Sequence, residues 1–200
     1  MIKVVVTVLV VAGLGAGAAQ AMMPTETVQK QVAQALEAVA TTFPSGRLDG
    51  ARRQQEIRRA ADSLFDFTEM SRRALGRHWA NRSPAEREEF VRLFTELMAR
   101  SYLGKIDRYA GESITYVGER VEGDLATVES RVLTAKKSEV ALEYQMHRVG
   151  EDRWLVYDVV IDRVSLVGTY RSQFNRIIQT GSFGDLLKRL REKERALVAD

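Results

Sequence analysis

A chain of 200 residues with 45% hydrophobic residues suits one domain with its own core, since domains commonly hold about 100–200 residues. It contains no cysteine, which excludes a disulfide framework and thiol chemistry. The net charge is only +3, and Arg alternates with Glu and Asp in Ala85–Phe90 and Lys188–Arg195. That is the pattern of solvated helix faces and not the basic stripe of a nucleic-acid binder.

The chain opens with Lys3, an apolar run from Ile2 to Ala19, and Ala19-Gln20-Ala21. A basic start, an apolar stretch and a small-residue A-x-A end are the marks of a secretory signal peptide. The expectation is removal of residues 1–21 by cleavage after Ala21, leaving one domain over 22–195 and a frayed tail over 196–200. An uncleaved membrane anchor is the alternative, but the run turns Gly-rich and lacks a stop-transfer flank. No Cys follows the cut, so a lipoprotein is excluded, and no later stretch is apolar enough to span a membrane.

Thr25 to Phe43 reads as a helix with Val28, Val32, Leu36 and Phe43 on one face, ended by Pro44-Ser45-Gly46. A second runs from Gly50 to Phe65, with Ile57, Ala61 and Leu64 inward. Asp66 is placed to cap a short helix through Met70 and Leu75, which Gly76 ends. Ser83-Pro84-Ala85-Glu86 combines a capping Ser, a Pro at the first helical position and a Glu closing the box. The helix it starts is expected to reach Tyr109, carrying Phe90, Phe94, Met98 and Tyr102, with a bend at Gly104 and an end at Ala110-Gly111.

From Ser113 the period becomes two. Strands are expected over Ile114–Val121, Leu125–Thr134, Glu139–Val149 and Trp154–Ile161, and their short turns imply an antiparallel meander. The last strand carries apolar residues on both sides, so both its faces should be covered. Leu166, Tyr170, Phe174, Ile177 and Ile178 then return to helical spacing. Gly181 breaks that helix, and Ser182 caps a final one in which Phe183, Leu186, Leu187 and Leu190 pack. Helices, four antiparallel strands and helices again make an α+β domain.

On the third strand, Val140, Leu142, Tyr144 and Met146 share a face. An even connection would bring Tyr157, Val159 and Ile161 of the fourth strand to the same side. The neighbouring face of the second strand is small: Ala126, Val128, Ser130 and Val132. Large residues beside small ones leave space that either covering helices or a ligand can fill. Close packing of native cores favours the helices when pattern alone is considered.

Enzyme signatures are scarce. His78 and His147 sit in no metal-ligand spacing, and the end-of-helix position of His78 suits a capping role. There is no nucleophile elbow and no glycine-rich phosphate loop. Asp158 and Arg171 form the polar pair of interest. Arg171 suits a phosphate by its guanidinium geometry, whereas a structural role has Asp158 fixing Arg171 or a backbone turn, as charges removed from water normally are.

Two stretches carry a family resemblance. WLVYDVVIDRVSLVGTYRSQF, Trp154 to Phe174, resembles the C-terminal signature of the MlaC family, the periplasmic, toluene-tolerance-type auxiliary proteins of phospholipid ABC transport. FDFTEMSRRALGRHWANRSPAEREEFVRLF, Phe65 to Phe94, is similar to a second part of that family. Arg163 departs from the pattern, which has a small turn residue such as Gly there.

The resemblance implies a nuclear-transport-factor-like arrangement of helices over a curved four-stranded sheet, enclosing an internal lipid cavity. It implies a periplasmic carrier of glycerophospholipid, monomeric, without a cofactor. Its partners would be an inner-membrane ABC transporter with a periplasmic lipid-binding ring and an outer-membrane lipoprotein complex, so that it serves outer-membrane lipid asymmetry. The expected docking surfaces are the charged stretches Glu86–Arg92 and Lys188–Arg195. The resemblance makes Val128, Val132, Leu142, Tyr144, Met146, Tyr157 and Val159 walls of the cavity, with Met98, Tyr102, Tyr170 and Phe174 added from helices. Asp158 and Arg171 become headgroup candidates. The alternative is an isomerase- or hydrolase-like enzyme of the same cone-shaped fold, with Asp158 as general base and Tyr144 or Tyr157 as donor.

Overall fold

The computed structural model describes residues 23–40, 50–103, 112–134 and 137–196. The leader over 1–21, Phe43, the Pro44-Ser45-Gly46 stop, Gly104, Ile106, Tyr109 and Ala110-Gly111 lie outside the described residues. The described helices are α1 (Pro24–Ala40), α2 (Gly50–Leu64), α3 (Phe67–Leu75), α4 (Pro84–Met98), α5 (Leu166–Thr180) and α6 (Phe183–Ala196). The strands are β1 (Ser113–Glu122), β2 (Leu125–Leu133), β3 (Glu139–Val149), β4 (Arg153–Ile161) and β5 (Val164–Ser165), paired antiparallel in the order β1-β2-β3-β4-β5. The α+β architecture is as expected, with a fifth, two-residue strand beyond the four.

Helix ends follow the local chemistry. The Asp66 carboxylate accepts the Glu69 amide and starts α3. Gly76, at φ 53, closes it by donating its N–H to Arg72, a backbone setting that favours glycine. Ser83 and Glu86 form the full capping box of α4, satisfying otherwise orphaned amides. Beyond Met98 the helix winds on as a π-turn over Ala99–Leu103, and the rest of its expected course to Tyr109 lies outside the described residues. At the C-terminus, Arg191 donates to Glu89 at 2.5 Å and Arg92 to Glu194 at 2.7 Å. The helix continues through the charged segment from Glu192 to Ala196, and the rest of the tail expected over 196–200 lies outside the described residues. Each such partly exposed pair contributes about 0–1 kcal/mol. These charges of the two expected docking stretches are spent on each other, across the α4–α6 contact.

The sheet departs from simple alternation in β4. Tyr144 pairs with Val159 and Gln145 with Asp158, but Met146 pairs with Val156. Tyr157 is the extra residue of a bulge, which reverses the face assignment from that point. The inner face of β4 is Trp154, Val156, Val159 and Ile161. Tyr157 and Asp158 turn to the outer face, where the His147 ring lies 5.9 Å from that of Tyr157. The expectation that Tyr157 shares a face with Tyr144 is corrected by this one inserted residue. The far edge of β4 is covered in two places. The α2–α3 connection takes Val156, where the Asp66 amide donates to the Val156 carbonyl at 2.9 Å. β5 takes Val160 and Ile161.

Two cores result. One lies among α3, α4, α5 and α6, where Phe174 meets the mutually stacked Phe90 and Phe94 edge to face with ring centroids 5.4–5.6 Å apart. The other lies between the inner face of the sheet and α1 and α2, and includes Val28, Leu64, Val128, Met146 and Val156.

Candidate functional site

A pocket of ≈ 250 Å³ opens at the seam between the two cores. The sheet supplies Leu142 and Tyr144 from β3 and Val159 and Ile161 from β4. Across from them stand Ala61 of α2, Phe65 of the α2–α3 connection, and Phe67 and Met70 of α3. Met98, Ala99 and Tyr102 come from the end of α4 and the π-turn, and Leu166 starts α5. Every side chain here is apolar except for two tyrosine hydroxyls. Burial pushes the Tyr102 hydroxyl up to about 12, helped by the neighbouring Tyr170, and burial also raises Tyr144. Both stay neutral at ordinary pH, so the wall carries no charge. The π-turn re-aims Ala99 and Tyr102 toward the pocket, a use to which such turns are often put.

Of the residues expected to line a cavity, Met98, Tyr102, Leu142, Tyr144 and Val159 meet here. The others lie elsewhere. Val128 and Met146 are fully buried, in the core that α1 and α2 cover. The small residues of β2 make room for those helices, as close packing alone would have it. Val132 pairs with Val140 at the far end of β2, away from the pocket. Tyr157 faces the opposite side of the sheet. Tyr170 and Phe174 belong to the helical core, each edge to face with Phe94. Sequence reasoning missed Phe65 and Phe67, which flank the Asp66 cap, and the small residues Ala61 and Ala99. The flanking of a capping residue by two Phe was the available signal.

Asp158 does not pair with Arg171. One carboxylate oxygen accepts the Val167 amide at 2.9 Å, and the other accepts the Ser165 hydroxyl at 2.5 Å. Ser165 Oγ in turn accepts the Gly168 amide at 2.8 Å. Asp158 thus fixes the start of α5, which is the backbone-turn form of the structural role. A separate polar cleft of ≈ 400 Å³ lies beside it, with Arg72, Arg73 and Arg171 in its wall.

The arrangement offers no general-base constellation around Tyr144. Asp158 and Tyr144 face opposite sides of the sheet, and both Asp158 oxygens are engaged. His147 is hydrogen-bonded to Asp66 at 3.1 Å, and His78 to Asn175 at 2.9 Å, which ties the turn after α3 to α5. Among the described residues no group of three or more His, Cys, Asp or Glu is placed to hold a metal ion. Nor is any described helix long and apolar enough to cross a membrane.

A family model described as MlaC protein matches residues 29–192. Among solved structures the chain is similar to a phospholipid-binding protein from Ralstonia solanacearum, determined in complex with a phospholipid. The two share 26% sequence identity at a TM-score of 0.76, over 88% of this chain and 99% of that one.

Proposed function

The chain belongs to the MlaC family, and on that premise we propose that it is a periplasmic phospholipid carrier whose seam pocket takes acyl chain. The observation that carries this reading is an uncharged pocket, walled by apolar side chains and two neutral tyrosines, between sheet and helices in a fold shared with a phospholipid-bound protein. Each buried methylene contributes about 0.8 kcal/mol, so a chain segment of modest length offsets the cost of ordering the lipid. Ligand pockets usually span about 300–1,000 Å³. At ≈ 250 Å³ this one houses part of a lipid in the present conformation, and Met70 and Met98 supply adaptable walls for the rest.

A carrier of this kind needs no cofactor of its own, because a transporter supplies the energy. In this reading it moves glycerophospholipid between an outer-membrane lipoprotein complex and an inner-membrane ABC transporter with a periplasmic lipid-binding ring. The test is transfer of labelled phospholipid between donor and acceptor vesicles bearing those two complexes. The carrier should raise the rate in proportion to its concentration. A rate unchanged by the protein, with both complexes active, contradicts the shuttle.

A further inference from the structure

The polar cleft lies on the other side of β4 from the seam pocket. Tyr157 and Asp158 reach it because of the bulge, whereas Val159 and Ile161 turn inward to the apolar wall. A lipid with its chain in the seam pocket therefore has no straight path for its phosphate into this cleft.

Its cationic wall is preorganised. Glu69 accepts two hydrogen bonds from Arg72, both at 2.6 Å, and one from Nε of Arg73 at 2.8 Å. The Arg72 hydrogen bond holds the Glu69 carboxyl below its ordinary range, with Arg73 adding to the effect. Arg73 also stacks on the Tyr157 ring, its guanidinium carbon 3.7 Å from the centroid, a favourable cation–π placement. Its two terminal nitrogens remain uncommitted. From α5 comes Arg171, whose stem runs along Gly76. A Cβ at Gly76 would lie 3.3 Å from Arg171 Cδ. Arg171 and the Tyr157 hydroxyl make no hydrogen bond or ion pair, while both oxygens of the nearby Asp158 carboxylate are taken up by the Ser165 hydroxyl and the Val167 amide. Unspent donors thus converge from α3, β4 and α5 on one concave space.

We propose that this cleft is a phosphate-binding site, distinct from the acyl-chain pocket, in which Arg171, Arg73 and Tyr157 hold the oxygens of a phosphate monoester or diester. Guanidinium forks match such oxygens in pairs, and Arg73, already held by Glu69 and the Tyr157 ring, loses less freedom on binding. The phosphate can come from free anion or from a headgroup at a membrane surface.

The experiment is calorimetric titration of the full mature protein with inorganic phosphate and, separately, with glycerophosphoglycerol, a soluble phosphodiester headgroup, each at matched ionic strength in chloride. Saturable one-site binding is expected, and the tighter of the two probes identifies the source. Arg171→Gln should weaken binding at least tenfold. Arg171 is exposed and unpartnered, so the variant should melt with the wild type and keep the same copurified phospholipid per molecule. Absence of saturable binding of either probe to the wild type overturns the site, as does full binding by Arg171→Gln. Loss of copurified phospholipid together with probe binding overturns its independence from the cargo pocket. The titration reads the same whether or not the protein carries lipid, so it fails separately from the carrier reading.

Discussion

Arg163 sits at φ 69 and follows Asp162 at φ 47, so the β4–β5 turn holds two consecutive non-glycine residues in the left-handed region. Asp162 tolerates this well, and its side chain accepts the Ala141 amide at 3.0 Å. Arg163 has no such compensation, and an L-residue there costs roughly 1–2 kcal/mol. Arg163→Gly should therefore stabilise the fold by about 1 kcal/mol after the glycine's greater freedom in the unfolded chain is counted. Thermal melting would register this as a rise of about 2–4 °C. An unchanged or lower midpoint would show that the turn is held by something other than its own backbone preference. Single residues with strong local chemistry were legible beforehand: the Asp66 cap, the Ser83–Glu86 box and Gly76 stand where the sequence puts them. The partner of Asp158 was not, because a carboxylate in a strand can meet a cation, a hydroxyl or an amide, and only the fold decides which arrives.

Element by element, β4 shows where reading by period runs out. Its apolar residues lie on both sides, so alternation gives no warning of an inserted residue, and the bulge at Tyr157 reversed half of the assignment. The same ambiguity misplaced the cavity under β2. Val128 and Met146 are packed core, whereas Val159 lines open space, and these positions should respond differently. Met146→Ala should cost about 2–5 kcal/mol, measured by chemical denaturation, and leave the phospholipid bound per folded molecule unchanged. Val159→Trp should melt near delipidated wild type, the proper reference because bound ligand itself stabilises, while its phospholipid content falls. Loss of lipid from the first variant only would move the pocket back under β2. The tyrosines add a pH signature. Tyr102 ionises at about 12 in the fold, against 10.0 for the free side chain, and burial shifts Tyr116 and Tyr144 the same way. The unfolded chain thus releases these protons first. Their contribution to stability is full below pH 10 and is lost as pH rises from there through the folded values. The melting midpoint should decline over that range, and Tyr102→Phe should make the decline shallower. An equally steep decline in the variant would place the alkaline sensitivity elsewhere.

For the whole molecule, the division into two cores is what creates a site. The phenylalanine-rich helical core and the sheet core are each closely packed, and they meet along Phe65, Tyr144, Val159 and Leu166 without filling the gap. The α+β class and the meander could be read from periodicity, since each element announces its own period. The seam could not, because it depends on how two separately satisfied cores abut. The claim that this seam carries phospholipid is tested most directly by native mass spectrometry of the protein purified from the periplasm, wild type beside Val159→Trp. The account predicts a wild-type population heavier by the mass of one phospholipid, released on collisional activation as an identifiable lipid ion, and a folded variant from which that population is largely gone. A wild type seen only at its bare polypeptide mass, or a variant retaining the full lipid adduct, would contradict it.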